Sequence, residues 1–148
     1  DAKNWLEYRA YMKCIFQKDY ESALADFDAA RNLNGNSAVM DHPYDFYSAL
    51  CYMQMNRFDT AEALLRKCID ERRNTLGDKW VHYVHWYYLG VMCFEQERYD
   101  EALLHLDKAL ITYPRLSDAE YYKAMCLARK KDYAAALPVM QQANEDAA

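Results

Sequence analysis

At 148 residues the chain is long enough for one domain with a sizeable core. It is 53% hydrophobic with only three Gly and three Pro, a balance that favours helices over turn-rich sheets. A net charge of −5 argues against a broad phosphate-binding surface and so against nucleic acid as a partner, and no apolar run is long enough to span a membrane.

Apolar periodicity predicts eight helices, at about 3–17, 20–33, 42–55, 58–75, 79–96, 99–112, 118–130 and 133–146. The first ends at the polar link QKD, and the second opens with KDYESAL at 18–24. That phrase returns as RFDTAEAL at 57–64, RYDEAL at 98–103 and KDYAAAL at 131–137, always at the start of an even-numbered helix. Its aromatic residues are Tyr20, Phe58, Tyr99 and Tyr133, spaced by 38, 41 and 34. Three residues after each stands an alanine: Ala23, Ala61, Ala102 and Ala136. Seven after come Phe27, Leu65, Leu106 and Met140, and ten after come Ala30, Cys68, Ala109 and Ala143. Offsets of three, seven and ten form one helical stripe, in which small residues let two backbones approach around a large one.

Upstream, nine before each aromatic, stand Tyr11, Ala49, Gly90 and Ala124; six before stand Cys14, Tyr52, Cys93 and Leu127. The links between the paired segments, QKD, NR, QER and KKD, are too short for anything but an antiparallel neighbour. Gly35 and Gly77 suit helix stops, Asp41 with Pro43 a helix start, and Ser117 with Glu120 a capping box. Pro138 falls in the first turns of the last helix and is expected to kink it. After Met140 that helix turns polar, as a terminal cap should.

Nothing in the chain announces catalysis. It has no phosphate-cradling Gly loop, no GxSxG and no HExxH. His82 and His85 are one turn apart, but no third ligand is evident and they read as surface or interhelical residues. The five cysteines, Cys14, Cys51, Cys68, Cys93 and Cys126, form no CxxC pair and sit in apolar helical patterns. They are expected to be buried, unligated thiols in a reducing compartment, hence a cytoplasmic location with no metal and no cofactor. Arg129, Lys130 and Lys131 end a helix, where cations suit the dipole. Asp1 opens the chain without a Met and no secretory apolar stretch follows, which suits an excised domain or a mature product.

The stretch Trp86–Pro114 carries Trp86, Leu89, Gly90, Tyr99, Ala102, Ala109 and Pro114, and in these it resembles a tetratricopeptide repeat, whose period of about 34 residues is a solenoid signature. Ala61–Trp80 is similar to the longer repeats of kinesin-light-chain-type arrays, where the second helix runs on to a Leu-Gly. The resemblance implies an all-α, right-handed superhelical solenoid of antiparallel helix pairs. It implies one domain over 1–148 with four repeats, about 4–37, 42–78, 83–116 and 117–148.

In that family the odd-numbered helices line a concave groove. The matching offsets here carry Tyr8, Phe46, Tyr87 and Tyr121, then Arg9, Tyr47, Tyr88 and Tyr122, then Met12, Leu50, Val91 and Met125. Seven of the first eight are aromatic, giving a surface suited to an extended peptide or an amphipathic helix. Inter-repeat packing is the other role open to this ladder. Tyr47, Tyr88 and Tyr122, about 100° further round the helix than the family's usual aromatic, are expected to reach outward. Members that clamp carboxylate tails use Lys, Arg and Asn in the groove; Arg9 alone offers such a group here. The expected function is therefore a non-enzymatic protein-interaction module. The alternatives are an assembly or self-association element, or one docking on other parts of a larger protein, and thirdly a sensor of a small peptide or apolar molecule.

Overall fold

The computed structural model describes residues 3–148. Asp1 and Ala2, which the sequence reading includes in its single domain, lie outside the described residues. The described helices are α1 (Lys3–Met12), α2 (Tyr20–Asn34), α3 (Tyr44–Gln54), α4 (Phe58–Leu76), α5 (Tyr83–Glu95), α6 (Tyr99–Thr112), α7 (Ser117–Arg129) and α8 (Tyr133–Ala147). α1 continues as a π-helical turn, Lys13–Gln17, and a 3₁₀ turn, Asp78–Trp80, follows α4. None of the described helices is long and apolar enough to cross a membrane.

The repeated phrase is a helix-stop followed at once by a helix-start. Tyr20, Phe58, Tyr99 and Tyr133 are each the first residue of their helix. Two residues before each, Lys18, Asn56, Glu97 and Lys131 have φ between 57° and 66°, the left-handed conformation that ends a helix by reversing the chain. In three copies the closing hydrogen bonds follow the Schellman pattern. Arg57 N–H donates to the carbonyl of Tyr52 (2.9 Å), Arg98 N–H to that of Cys93 (2.8 Å) and Asp132 N–H to that of Leu127 (2.9 Å). The first copy is one residue wider: Asp19 N–H reaches back to Lys13 (3.1 Å) across the π turn. Asp19 and Asp132 also cap their helices, accepting from Ser22 N–H and Ala135 N–H.

Once the chain has reversed, the small residues bring the paired helices together. Ala23, Ala61, Ala102 and Ala136 are all buried, as are Ala30, Cys68, Ala109 and Ala143. One close approach is at Gly90 in α5, where a Cβ would lie 2.7 Å from Leu106 Cγ and 3.3 Å from the carbonyl oxygen of Ala102 in α6. Gly35 and Gly77 stop α2 and α4 as expected, with φ of 71° and 96° and N–H bonds of 2.8 Å to the carbonyls of Arg31 and Arg73. α8 runs from Tyr133 to Ala147 with Pro138 inside it.

Contacts divide the chain into two compact units, Asp1–Cys68 and Ile69–Ala148. In the first, α1 packs on α2 and α2 on α3, around Phe27, Tyr44 and Cys51. In the second, α5 packs on α6, α6 on α7 and α7 on α8, around Cys93, Ala102, Leu106, Ala119 and Cys126.

Two local expectations are corrected. The helix predicted from residue 42 begins at Tyr44. Before it, β1 (Ala38–Val39) pairs antiparallel with β2 (His42–Pro43), and Met40 and Asp41 turn the corner with φ of 47° and 68°. Two positive φ values are what a two-residue hairpin of the I′ kind requires, so Asp41 serves a strand turn and caps no helix. Ser117 is the first residue of α7 but makes no side-chain cap. Its partner in the expected box, Glu120, is buried beside Asp146 of α8 instead, and burial followed by that neighbour pushes its carboxyl up from the ordinary range.

Candidate functional site

In the first unit the predicted groove residues part company. Tyr8 (48% exposed) and Met12 face solvent from α1. Arg9 forks onto Asp26 of α2, Nε to Oδ2 and Nη2 to Oδ1 at 2.7 Å each, and Lys13 Nζ adds a third contact at 2.8 Å. The Arg9 hydrogen bond, opposed by burial and aided by Lys13, holds the Asp26 carboxyl below its ordinary range. Arg9 is thus engaged in a fork that pins α1 to α2.

Phe46, Tyr47 and Leu50 of α3 are buried. Tyr47, expected to reach outward, is only 3% exposed. Its ring stacks on Phe27 (5.8 Å, 6°), meets Tyr11 edge-on (5.4 Å), and its hydroxyl donates to the Met40 carbonyl (3.1 Å). Met40 sits at the hairpin corner, so the element that sequence periodicity does not show is also the one that claims Tyr47. Phe46 lies against His42 of the same hairpin, centroids 4.5 Å apart.

In the second unit the ladder stays together. Tyr87 and Tyr88 on α5 have ring centroids 5.0 Å apart; Tyr121 and Tyr122 on α7 are 5.6 Å apart. Tyr87 joins the two helices by meeting Tyr122 at 6.1 Å, and Phe94 closes the strip against Tyr122 at 5.4 Å. Val91 is buried beneath, whereas Tyr87, Tyr88, Tyr122 and Met125 are half-buried and Tyr121 is 46% exposed. Tyr87, Phe94 and Tyr122 rest on the core cluster. The strip therefore has a packed side and an open side. Burial pushes the hydroxyls of Tyr87 and Tyr122 up from the ordinary value; Asp118 adds to both and Glu95 to Tyr122. An acidic rim accompanies the apolar strip.

Other candidates fall elsewhere. His82 accepts from Val84 N–H at the start of α5, and its ring is 6.3 Å from that of buried His85. All five cysteines are buried and none is in a disulfide, in line with their apolar positions; burial pushes Cys126 up to about 11. Lys130 pairs with Asp100, and Lys131 is the left-handed residue of its turn. A feature that periodicity does not disclose is a cleft of about 350 Å³ lined by Asp78, Lys79, Trp86, Lys108, Ile111 and Thr112. There Lys108 Nζ stands 4.3 Å from the centroid of the Trp86 ring, a cation–π contact.

The sequence model of the tetratricopeptide repeat family matches residues 44–115. No curated protein matches the chain in sequence. Among solved structures, a crystal structure of MamA aligns at a TM-score of 0.78 and 14% identity, covering 97% of this chain and 77% of that one. MamA from Desulfovibrio magneticus RS-1 aligns at 0.78 and 15%, with 97% and 74% covered. YrrB, described as a tetratricopeptide protein with an unusual peptide-binding site, aligns at 0.70 and 20%, with 95% and 66% covered. At these identities the likeness is one of fold. The chain has an all-α, helical-repeat fold, and its segment 44–115 matches the tetratricopeptide repeat family.

Proposed function

We propose that this chain is a non-enzymatic protein-interaction module, and that the strip on α5 and α7 receives an apolar peptide segment or amphipathic helix flanked by basic residues. The observation that carries the reading is the open side of the Tyr87, Tyr88, Tyr121 and Tyr122 strip, bordered by Glu95 and Asp118. Aromatic rings with hydroxyl tips present large contact area at low entropic cost and are common interface anchors. Met125 adds an adaptable surface beside them. Tyr8, Arg9 and Met12 on α1 form a separate face of the first unit; there only Tyr8 and Met12 are offered to a ligand, since Arg9 is committed to Asp26. YrrB's described peptide-binding site supports peptides as the ligand class for this fold. The 19-residue length of α4, closed by Leu76 and Gly77, supports the likeness of the second repeat to kinesin-light-chain-type repeats.

A variant with Tyr88→Ala and Tyr121→Ala tests the strip. Displayed peptides with an aliphatic centre and Lys or Arg flanks should be captured by the wild type. Their binding should fall at least tenfold, about 1.4 kcal/mol, in the variant, with helical circular dichroism and melting temperature unchanged. Equal binding by both proteins, or unfolding of the variant, rejects the strip as the ligand surface.

Self-association is the second reading, and it has its own observation. Trp5 (73% exposed) and Phe16 (64%) add to Tyr8 and Met12 a large apolar display at the start of the chain. Light scattering across a hundredfold range of concentration separates the two readings: growth in mass favours assembly, a constant monomer favours the peptide module.

A further inference from the structure

Cys93 on α5 and Glu101 and His105, one turn apart on α6, bring a sulfur, a carboxylate oxygen and an imidazole nitrogen within 4.8 Å of one another. The chain reversal at Glu97 is what makes ligands eight and four residues apart converge, which is why no CxxC-like spacing betrays them in the sequence. Cys93 and His105 are buried while Glu101 is exposed, so the cluster has an inner wall and an open mouth. Two further contacts orient it. The Trp86 ring is stacked on His105, centroids 5.9 Å apart and planes 13° apart. Arg98 Nη1 donates to Glu101 Oε2 at 2.9 Å, which orients the carboxylate at the mouth of the cluster. Outer partners of this kind hold the ligands of metal sites in place.

We propose that Cys93, Glu101 and His105 form a zinc site that clips α5 to α6. Thiolate, imidazole and carboxylate together are a donor set that Zn²⁺ favours over harder cations. Three protein ligands leave a fourth, solvent-facing position on the Glu101 side. On binding, the Cys93 S–H bond breaks, a Zn–S bond forms and the proton leaves to the buffer, so uptake releases acid and weakens as the pH falls.

The test uses the whole chain, stripped with chelator, desalted and titrated with zinc, with cobalt as a spectroscopic stand-in. The wild type should retain one equivalent of zinc, release a proton, melt at higher temperature with metal than without, and show a thiolate-to-cobalt charge-transfer band in the near ultraviolet. Cys93→Ser should abolish that band. Glu101→Gln, at an exposed position that leaves the core intact, should weaken zinc binding at least tenfold. Failure of the wild type to retain zinc, or zinc binding by Glu101→Gln equal to the wild type, overturns the proposal.

Discussion

Asp26 shows how a single side chain decides what its neighbours are free to do. Its carboxylate is buried against two cations, Lys13 and Arg9, the second of which the groove reading offers to a ligand. Because the folded carboxyl titrates below its unfolded value of about 3.9, the contribution is fully present above that value. It is lost as the pH falls through the lower folded value. Asp26→Asn should therefore cost about 1 kcal/mol at neutral pH, a modest figure because Arg9 is well solvated. The gap between variant and wild type should close as urea melts are repeated below pH 4. A gap that persists into acid would show that shape, not charge, is what Asp26 supplies. Tyr47 carries the complementary lesson. Its helical phase is legible in the sequence, but its burial depends on a hairpin corner, Met40 and Asp41, with none of the Asn-Gly chemistry that flags such turns.

Between elements, the decisive quantity is how closely two backbones approach. At Gly90 two effects of Ala substitution oppose each other. Helix propensity favours Ala by about 1 kcal/mol, while the new Cβ would press on Leu106 Cγ and on the fixed carbonyl of Ala102, costing about 1–3 kcal/mol. The clash wins because its partners are a branch point and a backbone oxygen, not a flexible chain end. Gly90→Ala should lose about 1 kcal/mol in urea unfolding; a gain would place the α5–α6 crossing elsewhere. The stripe of small residues made this crossing readable from sequence, as it did the eight helices. The caps were less so. Ser117 has the right neighbour at the right spacing, yet Glu120 is drawn to Arg115 and Asp146 from α8, and no local pattern contains a residue twenty-six positions away.

Across the described residues, each of the four turns places a left-handed residue two before the next helix, Lys18, Asn56, Glu97 and Lys131. The periodic helices and these turns were legible because both are local. The division into two compact units was not, since it reflects which helices gather their contacts together. The departure of the first turn from the other three has a consequence for how the array tolerates insertions and deletions. Its closing bond spans six residues, Lys13 to Asp19, where the others span five, and the π turn Lys13–Gln17 absorbs the extra residue without moving Tyr20 from the head of α2. That turn holds a surplus position. Removing Gln17 should convert it to the five-residue form and shift the melting temperature by a few degrees at most. Removing Gln96, its counterpart before α6, leaves no slack and should cost about 2 kcal/mol in lost turn hydrogen bonds. Equal damage from the two deletions, read by calorimetry, would mean that the wider turn is needed for its own sake. If the asymmetry holds, the first link is where length changes can enter this chain without disturbing the phase of the helices on either side.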